Sequence, residues 1–327
     1  MSKLDAPRLI RIGELLLQEH KDFFRQPSAI QSRLINCAAE IRDVPPDEIS
    51  FQHTVLCQTG LPYKETAERR WEKKNGRIFL EIEAGRALHP QREEYVDLPL
   101  PYGPKARLIL IYLCTMAIRH QSPVIDVERS MTAFLRQLQG REPNGPEIRK
   151  FKQQITSLAA ATIRMATAVE GRSLQVNNQI VHRFDLWLER DEFTQRVLWP
   201  ETVELSMDFF NTLLEHAVPL DQRAVASLQH SAMALDIYMW LAQRLWRIDS
   251  KQSVPWISLY EQFGTGYKQI RQFRKFFLDT LQDVLSQYPA AQGKVVPYGS
   301  EFSATGGGLL LERTPPPIQR PKLIAVR

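Results

Sequence analysis

Residues 264–288 read GTGYKQIRQFRKFFLDTLQDVLSQY. At about 100° per residue, Ile270, Phe273, Phe277, Leu281, Val284 and Tyr288 fall in one narrow stripe, as in a helix with one buried face. Lys268, Arg271, Gln272 and Lys275 fall opposite, and Arg274 lies nearer the apolar edge. Between Tyr267 and Lys275 there are four basic residues and no acid; Asp279 and Asp283 come only later. The first turn of a helix presents free N–H groups and partial positive charge, so Lys and Arg there are unfavourable for the isolated helix. A site that receives an anion, such as a phosphate, tolerates that cost. A solvated surface helix can carry the same residues, so the neighbouring segments decide.

Working back from this helix, Trp256–Phe263 reads as a short helix, and Gly264-Thr265-Gly266 as the turn between the two. Ser253–Pro255 is a short extended piece, preceded by one long helix from Asp221 to Arg247. Beyond Pro289, Val295-Val296 and Leu309–Leu311 flank a Gly306-Gly307-Gly308 turn and read as a hairpin. Helix, short strand, helix, turn, helix, hairpin is the order of a winged helix, a helix-turn-helix variant whose third helix enters the major groove.

The same order occurs once before. A long apolar helix spans Pro104–His120, an extended piece Val124–Val127, a helix Ser130–Leu138, a turn Gly140–Gly145, and a third helix Pro146–Ala161. β-rich runs follow at 162–170, 179–189 and 193–205. Ile111-Tyr112-Leu113 matches Ile237-Tyr238-Met239, a weak internal repeat. In the first third helix, Ile148, Phe151, Ile155 and Leu158 form the apolar side, while Arg149, Lys150, Gln153 and Ser157 face outward, with Lys152 and Arg164 flanking. Arg172 sits at the tip expected for the first hairpin. The expected fold is therefore α+β and helix-rich: two tandem winged-helix domains with an N-terminal helical extension. The divisions fall at 1–48 (extension), 49–206 (first winged-helix domain with a β-rich part), 207–314 (second) and 315–327 (basic, proline-containing tail). The extension rests on Leu9, Ile12, Leu16, Phe23, Ile30, Leu34 and Ile41, broken at Pro27-Ser28. Phe51–Gln58 and Arg77–Ala84 read as strands, and the mixed signs from Lys64 to Lys74 read as a solvated face.

At 327 residues with 43% hydrophobic and 24% charged residues, the chain has the material for a real core, which excludes wholesale disorder. A net charge of +5 permits a nucleic-acid partner without arguing for one; its placement argues more. No apolar window is long enough to span a membrane, and the N-terminus lacks a secretory apolar core. Three cysteines, Cys37, Cys57 and Cys114, do not make a disulfide framework, so a reducing cytoplasm is expected, with the thiols as small buried hydrophobes. Trp240 and Trp246 read as core aromatics, and His182 as a core or rim histidine of a strand. There is no phosphate loop, no dinucleotide fingerprint beyond the short Gly264-x-Gly266, no His-x-His, C-x-x-C or H-E-x-x-H. Neither enzyme activity nor a cofactor or metal is expected.

Leu98-Pro99-Leu100-Pro101-Tyr102-Gly103-Pro104-Lys105-Ala106-Arg107 resembles the plasmid-encoded RepA-type replication initiator family. So do Ala234-Leu235-Asp236-Ile237-Tyr238-Met239-Trp240-Leu241-Ala242, Gly264-x-Gly266-Tyr267 and Phe273-Arg274. The likeness runs over roughly residues 50 to 320. It implies binding of double-stranded DNA at repeated origin sites (iterons), opening of an AT-rich duplex, and recruitment of host replication proteins such as an initiator and a helicase. It also implies a homodimer in equilibrium with monomer, the first domain serving dimerisation. The residue choices come from helix geometry: Tyr267, Lys268, Arg271, Gln272, Arg274 and Lys275 on the second third helix, Arg149, Lys150 and Gln153 on the first, and Arg172. Arg or Lys can read guanine and Gln adenine. The same chemistry would serve a winged-helix transcriptional repressor without initiator activity, which remains the alternative.

Overall fold

The computed structural model describes residues 27–89, 93–169, 172–178, 180–184, 202–299 and 306–318. The stripe from Leu9 to Phe23 and the tail cations Arg320, Lys322 and Arg327 lie outside them.

The first described element, α1 (Ala29–Asp43), starts at the expected Pro27-Ser28 break because Ser28 and Gln31 form a reciprocal capping box. β1 (Ile49–His53) runs straight into the short α2 (Thr54–Gln58). The single strand expected over Phe51–Gln58 is thus cut in two: His53 turns the chain, its Nδ1 accepting the Val55 amide as a helix cap. Two hairpins follow, β2 (Arg70–Asn75) with β3 (Ile78–Glu83), and β4 (Arg86–His89) with β5 (Glu94–Asp97). Arg70 on the outer face pairs with Glu72 and Glu81, and Arg164, on the strand paired with β3, pairs with Glu81 and Glu83; of the stretch expected to be a solvated face, Lys73 instead turns inward and is partly buried.

The earlier segment comprises α3 (Gly103–His120), β6 (Val124–Asp126), α4 (Glu128–Gln139), α5 (Gly145–Ala160), β7 (Thr162–Val169), β8 (Arg172–Asn178), β9 (Val181–Phe184) and β10 (Thr202–Leu205). α6 (Met207–His216) was not expected. β11 (Ala217–Asp221), α7 (Gln222–Leu228), α8 (Ala232–Arg244), β12 (Gln252–Pro255), α9 (Trp256–Phe263), α10 (Ile270–Ser286), β13 (Val295–Tyr298) and β14 (Gly308–Leu311) complete the order. The one long helix expected over Asp221–Arg247 is two. Ser231 ends α7 and starts α8, its amide donating to Leu228 O and its hydroxyl accepting from Ala234 N. Apolar residues continue on both sides of the break, so periodicity does not register it. Gly308 is not part of a turn either. It pairs in β14 with Pro255 and Tyr298, and the hairpin tip lies beyond the described residues.

The fold is mixed α+β with small antiparallel sheets. One three-stranded sheet has the order β6-β10-β9 and another β12-β14-β13, so in each segment the last strand lies between the other two. The segments differ in that β7 and β8 join β2 and β3 in a separate four-stranded sheet, order β2-β3-β7-β8. β1 pairs antiparallel with β11, from Ile49 opposite Asp221 to His53 opposite Ala217. The apolar core is continuous from Leu34 on α1 to Leu311 on β14. Cys57 and Cys114 are small buried members of it, as expected, whereas Cys37 is only partly buried and its Sγ donates to Arg223 O; Trp240 is fully buried. Trp246 is not: it is half-buried and walls a pocket with Arg247, Pro315 and Pro316. Inside this core, Arg107 of α3 meets Asp236 of α8. The chain from Pro315 does not leave as a free extended tail at once. Tyr288 Oη donates to Pro315 O, Thr314 N donates to Leu245 O, and Ile318 is buried. Among the described residues no helix is long and apolar enough to cross a membrane.

Candidate nucleic-acid interface

α10 is positioned by its apolar stripe. Phe273, Phe277, Leu281, Val284 and Tyr288 are buried and Ile270 partly so, as the spacing requires. Edge-on aromatic contacts fix the packing: Phe273 against Tyr260 at 5.4 Å and Phe277 against Trp256 at 5.9 Å between ring centres. The turn into α10 needs both of its glycines. A Cβ on Gly264 would stand 2.3 Å from Tyr260 Cδ2, and Gly266 adopts φ +91°, the left-handed region.

The helix begins later than the sequence suggests. Tyr267 and Lys268 belong to the turn and Gln269 is the N-cap, so only Arg271, Gln272, Arg274 and Lys275 lie on α10 itself. The reason is local: Tyr267 N donates to Gly264 O and its carbonyl accepts from Tyr260 Oη, which holds it out of the helix. Tyr267 is half-buried, its ring 5.7 Å from Phe273, and burial raises its hydroxyl pKa. Lys268, Arg271, Gln272 and Lys275 are exposed, and among the described residues none of these three cations has an ion-pair partner. Arg274 is half-buried with its guanidinium 5.0 Å over the Trp256 ring, so much of its surface is spent on packing. The start of α10 has no side-chain cap and no acid in its first turn.

α5 differs in this respect. Asn144 and Glu147 close a capping box over its first turn, and Arg141 pairs with Glu147. Its first-turn amides are therefore partly satisfied and its entry carries negative charge. Arg149, Lys150 and Gln153 are exposed, as expected. Ser157 is not: it is fully buried, because α5 packs on α3 on one side and β9 on another, which widens its buried face towards the C-terminal end. Arg172 is the first residue of β8, opposite Val169. It thus lies on the four-stranded sheet, whereas the hairpin in the β6-β10-β9 sheet is β9–β10.

Sequence reasoning missed the contacts that hold this interface. Lys73 of β2 donates to Thr265 Oγ1 in the turn and to Glu261 O at the end of α9. Asn75 Nδ2 and Gln262 Nε2 both donate to Gln58 O, at 2.9 and 3.0 Å. A cleft of about 690 Å³ opens beside them, walled by Tyr63, Trp71, Tyr267, Gln272 and Phe276. The only sequence signal was that Lys73 sits in a stretch read as solvated. Among the described residues no group of three or more His, Cys, Asp or Glu is placed to hold a metal ion.

An exposed basic helix with an uncapped start beside a two-glycine turn is a candidate nucleic-acid interface. Residues 100–257 match the family model described as plasmid encoded RepA protein. That stretch is just under half of the sequence, and over it the chain is similar to plasmid-encoded RepA proteins. The match covers α3 and α8, with Arg107 and Asp236, and ends before the 264–275 turn and helix. Among solved structures the chain is similar to domains 2 and 3 of RctB, at 10% identity and a TM-score of 0.48 over 80% of this chain and 98% of that one. A second RctB structure of the same domains gives 0.45 at 10% identity, over 80% and 96%. No curated protein matches the chain in sequence.

Proposed function

We propose that this chain is a plasmid replication initiator that binds repeated duplex sites at its origin, promotes local opening and recruits host replication proteins in the bacterial cytoplasm. It is non-catalytic, and the same DNA contacts repress its own gene. The observation that carries the reading is the exposed set Lys268, Arg271 and Lys275, without an ion-pair partner among the described residues, around the uncapped start of α10. Free N–H groups and cations together suit phosphate, and Arg271 with Gln272 can reach base edges. The two segments with matching element order and matching strand order support a tandem winged-helix fold. In it, α10 lies in the major groove, while α5, with its acid-capped start, supports through Arg149, Lys150 and Gln153 on neighbouring phosphates.

Binding of a labelled duplex from the region upstream of the coding sequence, measured over a salt series, tests this. Each phosphate contact contributes about −0.9 to the slope of log K against log salt. Replacing Lys268, Arg271 and Lys275 together by Ala should flatten the slope by roughly the number of phosphates they touch and weaken binding. Unchanged binding would contradict the reading.

A further inference from the structure

On the reading that α10 contacts DNA, we infer that the β2–β3 hairpin sets the orientation of α10 through Lys73, which acts as a positioning residue for sequence selectivity without touching DNA itself. β2 alternates faces: Arg70, Glu72 and Lys74 point outward, while Trp71, Lys73 and Asn75 point in and are partly buried. All three inward residues are tied down. Trp71 Nε1 donates to Gly60 O at 2.7 Å, and Asn75 Nδ2 to Gln58 O at 2.9 Å. Lys73 spans from the hairpin to the α9–α10 turn, donating to Glu261 O and Thr265 Oγ1.

The two acceptors are significant. Glu261 lies in the last turn of α9, whose carbonyls have no partner within the helix, and a cation there also suits the helix dipole. Thr265 is the residue between the two glycines of the turn. One ammonium therefore joins the end of α9 to the middle of the turn that aims α10. Gln262, beside Glu261, donates to the same Gln58 carbonyl as Asn75, so hairpin and α9 share a second anchor. Burial holds the Lys73 ammonium below its ordinary pKa, consistent with a partly buried cation held by neutral oxygens.

Two measurements on the full chain test this. The first is hydrogen exchange at the amides of Gly264, Tyr267 and Phe273, which donate to Tyr260, Gly264 and Gln269. Lys73→Gln should raise their exchange, with amides of α3 unchanged; Lys74→Gln, on the outer face, should not. Equal protection in Lys73→Gln and wild type overturns the proposal whether or not the chain binds DNA. The second compares binding to the upstream duplex and to a scrambled duplex of the same composition. Lys73→Gln should cut the ratio of the two affinities on the order of tenfold, the effect of misplacing about one base contact, with an unchanged salt slope. A salt slope flatter by about one would mean that Lys73 touches phosphate and would overturn the positioning role. Failure of wild type to prefer either duplex would instead count against the DNA reading itself, and the exchange result would still decide the role of Lys73.

Discussion

Arg107 and Asp236 form a two-pronged ion pair in the core, Nε 2.6 Å from Oδ1 and Nη2 2.7 Å from Oδ2. The remaining guanidinium hydrogens go to the carbonyls of Leu61, Pro62 and Gly103, so all five donors are used. The pair joins α3 to α8. Burial raises the Asp236 carboxyl pKa, while the guanidinium acts in the opposite sense.

Removing one partner leaves the other charged and buried. Arg107→Met should cost about 3–5 kcal/mol. In the double variant Arg107→Met with Asp236→Leu, part of that loss should return, since no lone carboxylate remains, while three carbonyls still lack their donor. Chemical denaturation of wild type, both single variants and the double variant checks this; additive losses would show that the pair is not coupled.

His53 supplies a pH dependence. Its Nδ1 accepts the Val55 amide, its Nε2 has no partner among the described residues, and burial lowers its pKa from 6.5 to about 4. Between those values the unfolded chain binds a proton that the folded chain does not. Stability from this site is therefore complete above about pH 6.5 and falls as pH drops towards 4, with a slope approaching ~1.4 kcal/mol per unit. Denaturation midpoints at pH 7, 6 and 5 should show the decline, and His53→Gln should flatten it.

The turn glycines should fail for different reasons. In Gly264→Ala the new methyl meets the Tyr260 ring and, at 2.5 Å, its carbonyl, an overpacking cost of about 1–3 kcal/mol. Gly266→Ala meets no atom within 4 Å but must hold φ +91°, at about 1–2 kcal/mol. Thermal melts read both losses. Exchange at the α10 start should rise more in Gly264→Ala, whose clash falls on the α9 residue that also holds Tyr267.

Much of this was legible in the residues. The α10 stripe, the limits of α9, the β13–β14 pairing and the outward set Arg271, Gln272 and Lys275 follow from a 3.6-residue period and from turn residues. What periodicity does not carry is the single hydrogen bond and the distant neighbour. The Ser231 break in an unbroken apolar run and the late start of α10 come from local hydrogen bonds that a hydrophobic period does not register, while the burial of Ser157 comes from neighbours distant in sequence. The same holds for Lys73. A lysine among mixed charges looks solvated until the hairpin is placed beside Thr265. Arg107 and Asp236 stood inside the motifs that carry the family resemblance, but pairing across 129 positions leaves no local trace.

The central claim is tested most directly by footprinting the purified chain on the DNA upstream of its coding sequence, beside the Arg271→Ala variant. The account predicts protection of direct repeats phased by whole helical turns, roughly 10–10.5 base pairs. Arg271→Ala should lose about 1–3 kcal/mol of specific affinity and relax the preference at one position if it reads a base. Absence of protection, or uniform coverage that Arg271→Ala leaves unchanged, would contradict it.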